Sequence, residues 1–222
     1  MRLRFLTTAA TALACAVFTA RSANLVTYPF NGNLNATTQE GVTASGFLGN
    51  GGSDAIVGLG DNSGSYGYIL ITQNSTSVGD SVSNQQFAQF TVTAPQSSGV
   101  QLAQIQFQAA RGGDSTPRGV ALRWSFDNYK SNLGQVNITT TWPSTKNYTI
   151  AVNAFVGTSV TFRLYAFAKE ISQAEPSIRF DNLVVTGSQI LYAPVVTPQS
   201  THIETTKSSA TIKGTAFASA GI

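Results

Sequence analysis

Between residues 158 and 187 apolar and polar side chains change places at nearly every step, and that short period constrains the fold more than any other feature of the chain. Val160, Phe162, Leu164 and Ala166 fall on one side of an extended backbone, with Thr161, Arg163, Tyr165 and Phe167 on the other, because successive strand side chains point to opposite faces. The run therefore reads as a half-buried strand. Lys169, Glu170, Glu175 and Pro176 come next; they solvate well or forbid pairing, so the chain is expected to reverse there. Residues 177–186 read as a second strand, and Gly187 as the end of regular structure.

The same pattern repeats upstream. Short runs rich in Val, Ile, Thr, Phe and Tyr, separated by Gly, Asn, Asp, Ser and Pro, predict strands over 25–30, 41–48, 55–57, 66–72, 86–93, 102–109, 119–126, 136–140 and 148–152. In 102–109, Ile105, Phe107 and Ala109 alternate with Gln104, Gln106 and Gln108, so one face is dry and the other rich in amides. In 119–126, Val120, Leu122, Trp124 and Phe126 are expected to share a face, with Arg123 and Ser125 opposite. No helical period long enough for a crossover appears among them, and antiparallel neighbours need only turns. The expected fold class is all-β, an antiparallel two-sheet β-sandwich of the jelly-roll kind. A galectin-like or immunoglobulin-like sandwich is the alternative, weakened by the missing cysteine pair.

The ends read differently. Arg2 and Arg4 precede an uncharged apolar run from Phe5 to Phe18, and Ala20-Arg21-Ser22 offers small residues for cleavage; this is the grammar of a secretory signal peptide, 1–22. Leu13-Ala14-Cys15 also loosely resembles a lipidation box. Cleavage removes Arg2, Arg4 and Arg21 from the thirteen Lys plus Arg, leaving ten against ten Asp plus Glu. A neutral mature chain offers no electrostatic footprint for nucleic acid or an anionic membrane. Cys15, the only cysteine, leaves too, so burial rather than a disulfide must hold the domain. The sandwich is expected over 23–187 and a low-complexity, disordered tail or linker without a hydrophobic span over 188–222.

The segments RGGDSTPRGVALRWSFDNYKSNLG, TTWPSTKNYTIAVN, SVTFRLYAFA and SIRFDNLVVTG together resemble the jelly-roll ectodomains of bacterial exported proteins of the PEP-CTERM type. LVTYPFNGN and GVTASGF are similar to the same group. The resemblance spans residues 25–187 and implies a jelly roll and export, to the cell surface or the medium. The Pro-Glu-Pro sorting signal of that group is absent from 188–222, so anchoring by that route is not implied. Phe180-Asp181-Asn182-Leu183 also resembles the closing strand of calcium-stabilised carbohydrate-binding jelly rolls. That likeness implies a structural Ca2+ with Asp181 as carboxylate ligand and Asn31 as a looser partner, for an ion that takes six to eight oxygens. The alternative is that Asp181 pairs with Arg179 or a backbone amide at a strand bulge.

Chemistry is sparse. His202, in the tail, is the only histidine, so a Ser-His-Asp site and histidine-rich zinc lack their parts. The acids sit mostly in turns and no two stand out as a hydrolase pair. Binding has more material: Trp142 beside Pro143 offers an aromatic platform for a sugar, and Tyr165 with Arg163 and Arg123 a polar surface. Each has a structural alternative, as core edge, as packing under a loop, or as partners of nearby acids. The expected function is that of an exported, non-enzymatic β-sandwich that binds polysaccharide or cell-envelope glycan, or is displayed in the envelope or extracellular matrix. A self-associating structural surface protein is the alternative, and an enzyme acting on polysaccharide the third reading.

Overall fold

The computed structural model describes residues 22–50, 57–60, 66–71, 75–96, 98–113, 117–169, 176–192, 194–198 and 214–218, the last two as backbone. The expected signal peptide with Cys15, the expected reversal at 170–175 and His202 lie outside them. In chain order the strands are β1 (Ala23–Tyr28), β2 (Thr37–Thr38), β3 (Thr43–Ala44), β4 (Leu48–Gly49), β5 (Val57–Gly60), β6 (Tyr66–Leu70) and β7 (Phe87–Thr93). There follow β8 (Ser98–Gly112), β9 (Arg118–Trp124), β10 (Gly134–Ile138), β11 (Lys146–Val156), β12 (Ser159–Ala168) and β13 (Ser177–Leu191). A two-stranded ribbon of β14 (Pro194–Pro198) and β15 (Gly214–Ala218) comes last.

Two antiparallel sheets form the expected sandwich. The first runs β11-β8-β13-β1-β2, with β6 also on β13 and β5 on β6; the second runs β10-β9-β12-β7-β3, with β4 also on β7. β13 is the spine of the first sheet. Along one edge it pairs with β8 over thirteen residue pairs, while its other edge is shared, β6 against Ser177–Phe180 and β1 against Leu183–Gly187. The alternation read in the sequence decides which sides meet: Phe162 and Leu164 of β12 face Ile105, Phe107, Phe180 and Val185 across one interior, all fully or nearly fully buried. Seven aromatic rings, Tyr28, Phe30, Phe47, Phe90, Phe107, Phe162 and Phe180, contact one another there at centroid separations of 5.3 to 6.3 Å. Tyr28 donates its hydroxyl to Ser45 O at 2.6 Å, and burial pushes its pKa up.

Several elements differ from the sequence expectation. β12 and β13 lie in different sheets, so the stretch between them carries the chain across the sandwich instead of closing a hairpin. β13 continues past Gly187 to Leu191, because Ser188 to Leu191 still find partners in Gln101 to Ser98. β9 stops at Trp124: Ser125–Asp127 turns into a single 3-10 turn, which leaves Phe126 exposed instead of on the buried face. A six-residue helix, α1 (Val78–Ser83), was not anticipated. Its start is chemically ordinary: Ser77 Oγ accepts from Asp80 N, and Asp80 Oδ2 accepts from the Thr76 and Ser77 hydroxyls at 2.8 Å each. Those bonds, Thr76 first, hold the Asp80 carboxyl below its ordinary pKa.

One polar side chain joins the two sheets. Arg118, read in the sequence as the end of a loop, is the first residue of β9 and only 1 % exposed. Its Nη1 crosses the interior to donate to the carbonyls of Gly112 on β8 and Ser177 on β13. Replacing it removes the donor and leaves both carbonyls in a dry environment. Arg118→Met should therefore cost about 2 to 6 kcal/mol of stability in urea unfolding, at about 1–3 kcal/mol for each of the two buried carbonyls; a loss under about 0.5 kcal/mol would show that the guanidinium is not holding the sheets together.

Candidate functional site

The outward face of the first sheet carries the amide row seen in the sequence, and the ladder places two further rows beside it. Gln108 lies between Asn147 of β11 and Asp181 of β13, Gln106 between Thr149 and Val184, and Gln104 between Ala151 and Thr186. Their chain neighbours Phe107, Tyr148 and Ile150 point into the core, so the polar set has no choice but to face out. Successive rows are about 7 Å apart, two residues of strand rise. Gln106, Gln108, Asn147, Thr149, Asn182 and Val184 line a shallow trough of about 230 Å³. Thr145 Oγ1 donates to Gln108 Oε1 at 3.3 Å, while among the described residues no hydrogen bond occupies the side chains of Gln106, Asn147, Thr149 or Asn182.

An aromatic group closes one end of that face. Trp142, in the turn before β11, donates its backbone N–H to Arg111 O at 3.0 Å, which holds the turn against β8. The Trp142 and Tyr66 rings lie 4.5 Å apart, and the Arg179 guanidinium sits 4.7 Å from the Tyr66 centroid and 5.6 Å from that of Trp142. Gly112 makes the arrangement possible, since a Cβ there would collide with the Arg179 side chain. Trp142 is half-buried, so part of its surface remains on the outside.

The other three residues singled out for binding lie elsewhere. Arg123 on β9 and Arg163 and Tyr165 on β12 share the outward face of the second sheet, on the opposite side of the molecule. Tyr165 is only 2 % exposed: Phe87 meets it edge-on at 5.3 Å and Arg123 lies 5.5 Å over its ring. Tyr165 therefore supports Arg123 and presents no free ring face. The four candidates form two groups, Trp142 with the amide trough and the arginines with Tyr165.

Asp181 sits where β13 bulges. Its register partner is Gln108, the ladder slips between Asp181 and Val184, and Asn182 has a φ of 49°. Asn31 is three residues beyond Tyr28, whose partner is Leu183, so register puts it toward the same end of neighbouring strands. Burial pushes the Asp181 carboxyl above its ordinary pKa, opposed by the Asn182 backbone N–H. Among the described residues no three His, Cys, Asp or Glu side chains come together. The other described acids serve locally: Glu40 accepts from Gln189 N, Asp80 accepts from the Thr76 and Ser77 hydroxyls at the start of α1, and Asp127 accepts from the backbone of Lys130 and Ser131. Sequence reasoning noticed the amides but not the Asn147 and Thr149 rows or the partners of Trp142, because these depend on registers with bulges.

No protein-family model matches the chain and no curated protein does, so the likeness to exported PEP-CTERM-type proteins rests on the quoted motifs. Solved structures do match. A CBM36-1 domain of a multidomain xylanase from the hindgut metagenome of Trinervitermes trinervoides is 14% identical, with a TM-score of 0.41, over 65% of this chain and 95% of that one. The CBM22-1 xylan-binding domain of a Paenibacillus barcinonensis protein is 11% identical, TM-score 0.37, over 78% and 100%. A cleaved adhesin domain of Lys-gingipain from Porphyromonas gingivalis is 15% identical, TM-score 0.36, over 75% and 99%. At these identities and scores the alignments transfer no function.

The raised Asp181 pKa sets a sign for pH dependence. A carboxyl that holds its proton more tightly when folded contributes stability below its unfolded pKa, and that contribution is lost as pH rises through the folded value. With calcium removed by chelator, Asp181→Asn should thus be more stable than the parent at pH 7 and gain little or nothing at pH 3, by thermal melting at both; a variant less stable at pH 7 would mean that the carboxylate has a stabilising partner within the protein.

Proposed function

We propose that this chain is a non-catalytic β-sandwich that binds a neutral polysaccharide along the outward face of β8, β11 and β13. The observation that carries the reading is the amide trough: Gln106, Asn147 and Thr149 face solvent in aligned rows, Asn182 stands beside them at the bulge, and the hydrogen-bonding capacity of all four is unspent among the described residues. Each amide offers both a donor and an acceptor, and Thr149 adds a hydroxyl of either sense, which suits a ligand whose surface is ring hydroxyls. Such a ligand also has apolar ring faces, and Trp142 with Tyr66 supplies an aromatic edge against which one can rest. The trough is shallow and open, so a chain lying along the sheet fits it better than a small molecule needing enclosure. The export grammar of the first 22 residues supports a place outside the cytoplasm, where such polymers are met. No helix of the described residues is long and apolar enough to cross a membrane.

Calcium belongs to the same reading as a structural ion at Asp181 and Asn31. One carboxylate falls short of the oxygens the ion prefers, so backbone carbonyls would have to complete the set. Melting with and without chelator tests it: a midpoint lowered by chelator and restored by calcium supports the ion, and an unchanged midpoint removes it.

Affinity electrophoresis through gels containing soluble xylan, β-glucan or galactan tests the binding surface. The parent protein should be retarded by at least one of these, and the Gln106→Ala/Asn147→Ala double variant should lose about tenfold or more in affinity, at roughly 1 kcal/mol per hydrogen bond, with an unchanged melting midpoint. Retardation that survives both changes would place the ligand elsewhere, and no retardation by any neutral polymer would defeat the reading.

A further inference from the structure

Arg123 and Arg163 are direct partners across the β9–β12 ladder, on the sandwich face turned away from the amide trough. Like charges placed opposite one another across a sheet repel, and no carboxylate among the described residues answers either of them. Their contacts are neutral. The Arg163 guanidinium lies between the Phe87 ring at 4.1 Å and the Tyr129 ring at 3.8 Å, and its Nε donates to Gln89 Oε1 at 3.2 Å. Arg123 donates from Nε to Asn132 Oδ1 at 2.7 Å and from Nη1 to Tyr129 O at 2.8 Å.

These contacts fix the two planes without neutralising them. The Nε of Arg163 is engaged, and the Nη groups of Arg163 and Nη2 of Arg123 remain as donors. The turn that holds them is itself unusual. Asn128 and Tyr129 both take the left-handed conformation, φ 57° and 59°, which a bulky residue rarely adopts. That turn puts the Tyr129 ring on one arginine and its carbonyl on the other. Asp127, the nearest acid in sequence, is committed to the backbone N–H groups of Lys130 and Ser131.

We infer that Arg123 and Arg163 form an anion site that takes the carboxylate of an acidic sugar, a uronate unit of a polysaccharide. A planar guanidinium fork matches a carboxylate through paired N–H···O bonds, and an oxyanion between the two cations removes their mutual repulsion. The aromatic and amide surroundings, Phe87, Tyr129, Gln89 and Asn132, suit the ring and hydroxyls that accompany a sugar carboxylate better than a bare ion. The site does not depend on the trough: it stands on the other sheet and selects the opposite kind of ligand, charged instead of neutral.

The test is titration of the 15N-labelled full chain with trigalacturonate, with cellotriose and inorganic sulfate in parallel, followed by backbone and arginine Nε–H resonances. Trigalacturonate should shift the Nε–H signals of Arg123 and Arg163 and the amides of Gln89, Tyr129 and Asn132, cellotriose should leave them unmoved, and about 0.5 M NaCl should weaken the effect. Arg123→Gln should lower the affinity at least tenfold, and Arg163→Lys, which keeps the charge but loses the fork, should lower it as well. The wild-type map decides even where a variant fails to fold. No shift at these groups at about 10 mM trigalacturonate, an equal shift with cellotriose, or a shift with sulfate alone would overturn the inference.

Discussion

The antiparallel ladder between β8 and β13 determines both what this protein hides and what it shows. Thirteen pairs run its length, and each alternation along it sends one side chain into the aromatic interior and the next to the outer face. Ile105 and Phe107 on one strand and Phe180 and Val185 on the other go in; Gln104, Gln106 and Gln108 opposite Thr186, Val184 and Asp181 go out. A register slip by one residue would exchange the two sets. With burial of a single large apolar side chain contributing about 1.5 to 3 kcal/mol, the dry side enforces the register, and the wet side inherits its order.

The bulge at Asp181 and Asn182 makes that ladder serve two neighbours. Before it β13 pairs with β6, after it with β1, so one strand binds together segments more than thirty residues apart in the chain. The same irregularity opens the ladder beside Gln106 and Gln108, where Asn182 joins the trough lining. Arg118 supplies the link perpendicular to the ladder, from the first residue of β9 to the carbonyls of Gly112 and Ser177. Without any disulfide in the described sandwich, hydrophobic contact holds one sheet over the other, and polar links such as this buried donor and the Tyr28 hydroxyl add to it.

Much of the architecture was legible because strand alternation is local. Phe162 and Leu164 against Arg163 and Tyr165, and Ile105 and Phe107 against the glutamines, separate inside from outside with no knowledge of their partners. What escaped depends on those partners. Arg118 sits among Gly, Asp, Ser, Thr and Pro, a composition that signals a turn, and the carbonyls brought in by β8 and β13, which the sequence does not show, help to make a buried arginine tolerable there. Phe126 continues an apolar alternation on paper, yet the turn at Ser125 releases it to solvent. Trp142 as a platform and Tyr165, Arg163 and Arg123 as a polar surface carried no sign in the sequence of how the two lie relative to each other. The crossings of the chain from β10 to β11 and back to β12, invisible in a one-dimensional pattern, put Trp142 with the first sheet and leave Arg123, Arg163 and Tyr165 on the second.

The two outer faces present different chemistry: uncharged amides and hydroxyls with an aromatic edge on one, paired cations bedded on rings on the other. The central claim concerns the first, and contacts between bound sugar protons and protein side chains test it most directly. Intermolecular nuclear Overhauser effects from a neutral oligosaccharide of the retarding polymer should reach the side-chain amides of Gln106, Gln108 and Asn147 and the indole of Trp142. Contacts confined to the β9–β12 face, or to neither sheet, would contradict the account.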